Sequence, residues 1–203
     1  MNNFSEKAKE WDKNPIHKQR SEAIANNLCQ RVCLSTSMRA LEFGAGTGLL
    51  SFILAESLGE IVMMDTAQGM VQVMHEKVAQ ADLHKLKPVE HDLVEHVFDE
   101  KPFDLIFSQM VFHHIKDIHG LLERFYTMLK PGGTLAFADI YTEDGSFHGA
   151  DFDGHLGFDP NNLKVLLESV GFHSITTEKC FVIQKESTEG VREYPVFQMI
   201  AIK

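Results

Sequence analysis

The chain has 203 residues, of which 44% are hydrophobic and 24% are charged, and its formal net charge is −10 at pH 7. This length suits one well-buried domain and is short for two. The acidic balance and the lack of a basic cluster predict no nucleic-acid partner and no binding to anionic membrane surfaces. No apolar run approaches the roughly 20 residues of a membrane span, so no membrane insertion is expected.

Two helices are expected to open the chain, the second from about Ile16 to Leu34, where apolar residues recur at helical spacing. We expect one domain over residues 1–203, with residues 1–36 as a helical lid and residues 37–203 as the catalytic core. Residues 1–20 are polar and lack the apolar centre of a secretion signal, which predicts a cytoplasmic location.

Short apolar runs and helical patterns alternate from Arg39 onward, which predicts an α/β fold with a mainly parallel sheet. After a helix that ends at Gly171, two strands are joined by a short polar loop, Lys185 to Gly190, and must be antiparallel. The expected strands cover about 39–43, 60–64, 85–90, 103–108, 134–140, 174–184 and 192–203. The expected core helices cover about 49–58, 68–81, 117–129 and 161–170. Gly59 is expected to end the first of these helices, and a turn is expected at 131–133.

Residues 41–50 read LEFGAGTGLL, which is typical of a strand end, a glycine-rich turn and a helix start. Glycine has no Cβ, so its backbone can lie against a ligand, and a helix N-terminus presents free N–H groups. An adenosine-type cofactor is therefore expected. The glycines are Gly44, Gly46 and Gly48, and Leu49 stands where the dinucleotide pattern G-x-G-x-x-G has its third glycine. This spacing disfavours a nicotinamide oxidoreductase.

This loop, with Glu42 two residues before its first glycine, resembles the first motif of the class I S-adenosylmethionine-dependent methyltransferases. The segment LKPGGTL at 129–135 is similar to the turn that precedes strand five in that family. The opening segment, with Trp11 and Asp12, resembles small-molecule members of the type 11 and type 12 groups. The resemblance implies a Rossmann-like, doubly wound, seven-stranded, mostly parallel sheet with an antiparallel C-terminal hairpin, and S-adenosyl-L-methionine as the cofactor.

Acidic or amide residues occur at the expected carboxyl ends of the strands, where open α/β sheets bind ligands. The resemblance assigns the ribose to Asp65, the adenine edge to Asp92 with Leu93, and the methionine part to the glycine loop. A helix N-cap is the alternative for Asp65, and a simple turn is the alternative for Asp92. A backbone carbonyl of Ser108 or Gln109 would meet the amino group. The expected cofactor-binding residues are Glu42, Phe43, Gly44, Ala45, Gly46, Gly48, Asp65, Thr66, Met70, Asp92, Leu93, Ser108 and Gln109.

Histidines are the candidate catalytic residues, because histidine titrates near neutral pH and can act as a base. His113 follows strand four, and His148 and His155 lie in the polar loop after strand five, over the expected methyl-transfer site. The alternative for His113 and its neighbour His114 is to cap or begin the next helix. A metal cluster of His148, His155, Asp151 and Asp153 is disfavoured, since the flanking glycines make the pattern unspecific, and no metal site is expected.

The predicted function is transfer of a methyl group from S-adenosylmethionine to a small-molecule acceptor by in-line displacement. The chain has no large inserted substrate domain, which favours a small acceptor, methylated on oxygen, nitrogen or carbon. The alternative is an S-adenosylmethionine-binding protein without transferase activity, with a regulatory or partner-binding role. A monomer or a homodimer is expected.

Overall fold

A computed structural model of the protein describes residues 4–149, 151–187 and 190–203. The beginning of the expected lid, residues 1–3, and the tip of the expected C-terminal loop, residues 188–189, lie outside the described residues. The helices are α1 (Phe4–Trp11), α2 (Pro15–Arg31), α3 (Leu49–Leu54), α4 (Gln68–Ala81), α5 (Ile118–Met128) and α6 (Pro160–Val170). The strands are β1 (Arg39–Phe43), β2 (Glu60–Asp65), β3 (Leu86–Glu90), β4 (Phe103–Gln109), β5 (Leu129–Ile140), β6 (His173–Ser187) and β7 (Gly190–Ile202).

The described strands form one seven-stranded sheet in the order β3-β2-β1-β4-β5-β7-β6. Strands β1 to β5 are parallel, whereas β7 runs antiparallel to both β5 and β6. The predicted Rossmann-like sheet, with its last strand inserted beside the fifth, is thus confirmed. Because β1 to β5 are parallel, their carboxyl ends meet at one edge, where the order reverses between β1 and β4.

Helices cover both faces of the sheet, which explains why the central strands read as almost continuous apolar runs. On one face α2, α3 and α4 supply Leu28, Leu54 and Met74 to a buried cluster. On the other face α5 and α6 supply Phe125 and Leu167 to a second cluster. This two-sided packing fixes the strand ends that build the site.

The two N-terminal helices pack at different places on this core. Helix α2 lies against α3 and the C-terminal strands, and Arg31 donates a hydrogen bond to Thr176 Oγ1 at 2.6 Å. Helix α1 lies against the start of α4, where the Gly69 amide donates to Ser5 Oγ at 3.1 Å. Helix α1 therefore stands at the edge that holds the carboxyl ends of the parallel strands.

Several expected boundaries differ from the structure, and one is the end of α2, which was expected at Leu34 and lies at Arg31. Helix α3 ends early, at Leu54, and continues only as a 3₁₀ turn, Ala55–Ser57, so Gly59 is not its C-terminal cap. A Cβ on Gly59 would lie 2.3 Å from the Thr36 carbonyl oxygen, and close backbone approach is the reason for glycine there. The expected turn at 131–133 lies within β5 as an irregularity in its pairing with β4. The hairpin strands also extend into the expected loop, to Ser187 and from Gly190.

Candidate active site

The glycine loop takes the backbone conformation that its sequence predicts. Gly44, Gly46 and Gly48 have φ values of 66°, 57° and 79°, in the left-handed region that favours glycine. A Cβ on Gly44 would lie 2.4 Å from Val111 Cγ2, whereas a Cβ on Gly46 would meet nothing closer than Trp11 Nε1 at 4.0 Å. The backbone at Gly46 is therefore open to a ligand on the side that faces Trp11.

Glu42 is fully buried beneath this loop and is held by the first turn of α3. Its Oε2 accepts hydrogen bonds from the Ser51 amide, at 3.1 Å, and from the Ser51 hydroxyl. Its Oε1 is buried and has no hydrogen-bond partner among the described residues. Burial raises the pKa of Glu42 to about 8, against the hydrogen bonds from Ser51 that lower it. A charged carboxylate here needs a further donor or cation.

Asp65, at the end of β2, is bonded directly to the glycine loop. Its Oδ2 accepts from the Gly46 amide at 2.7 Å, and its Oδ1 accepts from the Ala67 amide at 2.8 Å. The N-cap of α4 is Ala67, so the N-cap alternative for Asp65 is wrong. Burial raises the pKa of Asp65, while the bonds from Ala67 and Gly46 lower it. Each carboxylate oxygen keeps acceptor capacity for a further hydroxyl.

The other expected cofactor-binding residues near the ends of β2 and β3 differ in their exposure to solvent. Thr66 is exposed, whereas Met70 and Leu93 are buried in the core. Asp92 Oδ1 accepts from the Val94 amide at 2.9 Å and the Glu95 amide at 3.3 Å. The turn-forming alternative for Asp92 is thus present in the structure, and the adenine role of Asp92 and Leu93 stays a prediction.

Side chains at the end of β4 bind other parts of the protein. The Ser108 hydroxyl donates to the Phe43 carbonyl at 2.8 Å, which ties β4 to β1. Gln109 Oε1 accepts from the Ser21 hydroxyl at 3.0 Å, which ties β4 to α2. The expected cofactor role for these two residues used only their backbone carbonyls, and it remains a prediction.

A network that the sequence analysis did not identify joins the N-terminal segment to the glycine loop. Asp12 Oδ1 accepts from the Thr47 hydroxyl at 2.5 Å, and Asp12 Oδ2 accepts from Lys77 Nζ at 2.8 Å. Lys77 also donates to the Thr47 carbonyl at 2.8 Å. We call this set, Asp12, Thr47 and Lys77, the latch. It holds the end of α1 over the loop.

Arg20 is a second feature that the sequence analysis missed. Helix α2 buries it to 8% exposure, and within the described residues its guanidinium makes no hydrogen bond, with Nε fully buried. Burial lowers the pKa of Arg20 to about 10, while the charge of Asp139 raises it. Arg20 is thus still cationic at neutral pH, and its donors are available to an anion.

His113 is buried and held by Asp139, at the end of β5. Its Nδ1 lies 2.7 Å from Asp139 Oδ1, and its backbone amide donates to Asp139 Oδ2 at 3.2 Å. Asp139 Oδ1 also accepts from the Ile140 amide at 2.8 Å. The carboxylate holds the His113 ring through Nδ1, which leaves Nε2 without a protein partner among the described residues.

His114 and His148 lie beside His113 and complete what we call the histidine cluster. Ring nitrogens of the three side chains all lie within 4.8 Å of one another. Burial, followed by the charge of His113, lowers the pKa of both His114 and His148 to about 4. Both rings are therefore neutral at pH 7. Phe152 stacks on His148 with 4.0 Å between ring centroids.

His155 lies outside the histidine cluster. Its Nε2 lies 2.9 Å from the Ile115 carbonyl oxygen, and its backbone amide donates to the His113 carbonyl at 2.8 Å. Asp153 is exposed and pairs with Lys116 at 2.6 Å. The structure thus does not assemble the histidine–aspartate metal group that the sequence analysis weighed. The catalytic roles of His113, His148 and His155 stay predictions.

Comparisons with known proteins agree with this fold and loop. Residues 41–137 match a family described as "Methyltransferase domain". An uncharacterised methyltransferase of Schizosaccharomyces pombe is 33% identical over 121 residues, which is 56% of this chain and 43% of that protein. A demethylmenaquinone methyltransferase of Listeria monocytogenes is 31% identical over 102 residues, which is 49% of this chain and 43% of that protein. The chain thus spans less than half the length of these relatives.

The same class of protein appears among solved structures. An S-adenosylmethionine-dependent methyltransferase from Aquifex aeolicus superposes with a TM-score of 0.71 at 20% identity, covering 98% of this chain and 97% of that one. The matched segment contains the glycine loop and the carboxyl ends of β1, β2, β3 and β4. In this segment, in its glycine loop and in its sheet order, the chain resembles the class I S-adenosylmethionine-dependent methyltransferases.

Proposed function

We propose that the protein transfers a methyl group from S-adenosylmethionine to a small organic acceptor. The observation that carries this proposal is the bond between Asp65 and the Gly46 amide, because it places a carboxylate with free acceptor capacity directly beside the open glycine backbone. The Listeria relative is named for methylation of a small molecule, demethylmenaquinone, which favours the same acceptor class here.

The residues present suit the cofactor on chemical grounds. S-adenosylmethionine, when bound, supplies a methyl group on a positively charged sulfur. Asp65 would accept hydrogen bonds from the ribose hydroxyls, and the buried Oε1 of Glu42 would face the positive charge of the amino-acid part. Arg20 would hold a carboxylate, since its buried guanidinium lacks any protein acceptor in the described part of the chain.

An aromatic wall lies between α1 and the loop after β5, and we propose that it receives the acceptor. Phe4 and His114 meet edge to face at 5.7 Å between ring centroids, and His114 and Phe152 meet at 5.3 Å. Such a wall suits an acceptor with an aromatic or apolar body. An acceptor bound against this wall would exclude water from the transfer step, which favours in-line attack over hydrolysis.

Proton removal, where the acceptor requires it, would fall to His148. Its ring is neutral at pH 7 and can accept a proton, although its low pKa makes it a weak base. An acceptor that is already nucleophilic needs no protein base, and the remaining work is alignment of the two reactants.

The test is calorimetry with S-adenosylmethionine and NAD, followed by an acceptor screen that measures release of S-adenosylhomocysteine. We expect binding of S-adenosylmethionine without binding of NAD, and product release with at least one small acceptor. Binding of NAD alone would contradict the cofactor assignment. Binding of S-adenosylmethionine without turnover on any acceptor would favour the regulatory or partner-binding alternative.

A further inference from the structure

The histidine cluster has an unusual balance of hydrogen bonding. Within residues 4–149, 151–187 and 190–203, His113 Nδ1 is bonded to Asp139, but the other ring nitrogens of the cluster have no protein partner. His148 Nε2 is moreover buried from solvent. Buried ring nitrogens normally have a hydrogen-bond partner, and His148 Nε2 has none among the described residues. A single bound cation would satisfy one nitrogen of each of the three rings at once.

We propose that His113, His114 and His148 form a binding site for a divalent transition-metal ion, with one coordination position left open. Three imidazole nitrogens are the donor set of open zinc sites, and imidazole also suits other borderline ions. Asp139 is the positioning residue, because ligating histidines characteristically donate their second ring N–H to a carboxylate. The proposal does not depend on methyl transfer, although an ion bound here would occupy the lone pair that His148 would otherwise use as a base.

Binding of an ion requires the ring nitrogens of the cluster to move closer together. Zinc–nitrogen bonds of about 2.0–2.1 Å in a tetrahedron place the nitrogens roughly 3.4 Å apart, compared with the 4.8 Å limit in the structure. His148 lies in the loop between Gly145 and Gly149, whose φ values are 88° and 95°. His113 is fixed by Asp139, so movement of His148 is the adjustment that an ion requires.

The site differs from the histidine–aspartate group that the sequence analysis weighed and disfavoured. His113 and His114 are adjacent in the chain, and His148 comes from the next strand-end loop, so only the fold brings them together. The other histidine of that loop, His155, is engaged with the Ile115 carbonyl and serves as an internal control. A second control is His84, which is exposed and lies beside Asp82.

The experiment uses untagged protein stripped with a chelator and titrated with Co²⁺, read by visible absorption, and with Zn²⁺ in competition with a chromophoric chelator. We expect one equivalent of either ion per chain. His114→Gln and His148→Gln, both at partly exposed positions, should each abolish stoichiometric binding, whereas His84→Gln and His155→Gln should keep it. Asp139→Asn should weaken the affinity about 10–100-fold.

Circular dichroism and the melting temperature establish that each variant is folded before it is titrated. A Cys29→Ser/Cys33→Ser variant, which removes two exposed thiols, should still bind one equivalent. Absence of stoichiometric binding in the wild type would overturn the proposal. Stoichiometric metal binding that persists in both His114→Gln and His148→Gln would also overturn it. The same holds if His84→Gln or the cysteine variant loses metal binding to the same extent as the cluster variants.

Discussion

The carboxylate of Asp65 accepts a hydrogen bond from the backbone amide of Gly46 at 2.7 Å, which joins the end of β2 to the loop after β1. Asp65 is thus both part of the loop's support and a candidate ligand of the cofactor. A substitution at this position should affect loop geometry and cofactor affinity together.

Asp65→Ala should weaken S-adenosylmethionine binding by about 10–100-fold, the loss expected when a charge-assisted hydrogen-bond acceptor worth roughly 1.5–3 kcal/mol is removed. Calorimetry measures the affinity. Asp92→Ala tests the adenine assignment at the end of β3, where one carboxylate oxygen serves the local turn. Unchanged affinity in Asp65→Ala would remove the ribose assignment, and an equal loss in Asp92→Ala would extend the cofactor site to that strand end.

Arg20→Gln should weaken binding of a carboxylate-bearing ligand because it removes a buried cation. If the cofactor supplies that carboxylate, affinity for S-adenosylhomocysteine should fall about tenfold or more, while affinity for methylthioadenosine, which lacks the amino-acid part, should not change. Both ligands are measured on the same variant, so a change in folding affects them alike. Equal affinity for S-adenosylhomocysteine in variant and wild type would exclude the cofactor as the source of the carboxylate.

Glu42→Gln should change how stability depends on pH. Because burial raises the pKa of Glu42 from 4.5 to about 8, the folded state holds a proton that the unfolded state releases between those values. The stabilisation from this proton is complete below pH 4.5 and is lost as the pH rises to 8, by at most about 1.4 kcal/mol per pH unit. The melting temperature of Glu42→Gln, relative to that of the wild type, should therefore rise from pH 5 to pH 8. Glu56→Gln, at an exposed position, should show no such trend. A melting-temperature difference between Glu42→Gln and the wild type that stays constant with pH would contradict the raised pKa of Glu42.

Asp12→Asn should loosen the latch. Asparagine keeps one oxygen for Thr47 but loses the charge that pairs with Lys77 at 2.8 Å. Since Asp12 is partly exposed, the global stability should fall by only about 1 kcal/mol or less. Hydrogen exchange in residues 4–14 should accelerate, while exchange in β4 should not. Lys13→Gln, which removes an exposed pair with Glu10, is the control and should leave both segments unchanged.

His148→Ala and His155→Ala separate the two loop histidines once an acceptor is known. His148 lies in the histidine cluster, whereas the ring of His155 is held by the Ile115 carbonyl. We expect turnover to fall with His148→Ala and cofactor affinity to stay constant, and we expect His155→Ala to act mainly on stability. Full turnover in both variants would assign both side chains to structural roles.

Local patterns in the sequence predicted most of the fold. The periodicity of residues 68–81 and the short apolar run at 39–43 gave the bounds of α4 and β1 as the structure has them, because both elements bury one side or both in a continuous core. The helix expected to end at Gly59 was too long, because backbone packing against Thr36, and not a capping preference, requires that glycine.

The site was less predictable, because its contacts join residues far apart in the chain. Arg20 and Asp139 interact across the fold, and His114 meets His148 only because β4 and β5 are neighbours. No periodicity or spacing rule connects such pairs. The position of Asp65 beside the glycine loop could be anticipated, because in this class of sheet the next strand ends about twenty residues after the loop, but its role with the cofactor stays a prediction.

The indole of Trp11 lies near the backbone of Gly46, and the chain contains one tryptophan. Its tilted contact with His17, at 4.1 Å between ring centroids, and its edge contact with Phe4 give it a defined environment. The intrinsic fluorescence of the protein at tryptophan wavelengths therefore originates beside the glycine loop. Emission changes on adding a ligand report events at this edge of the sheet, without any label.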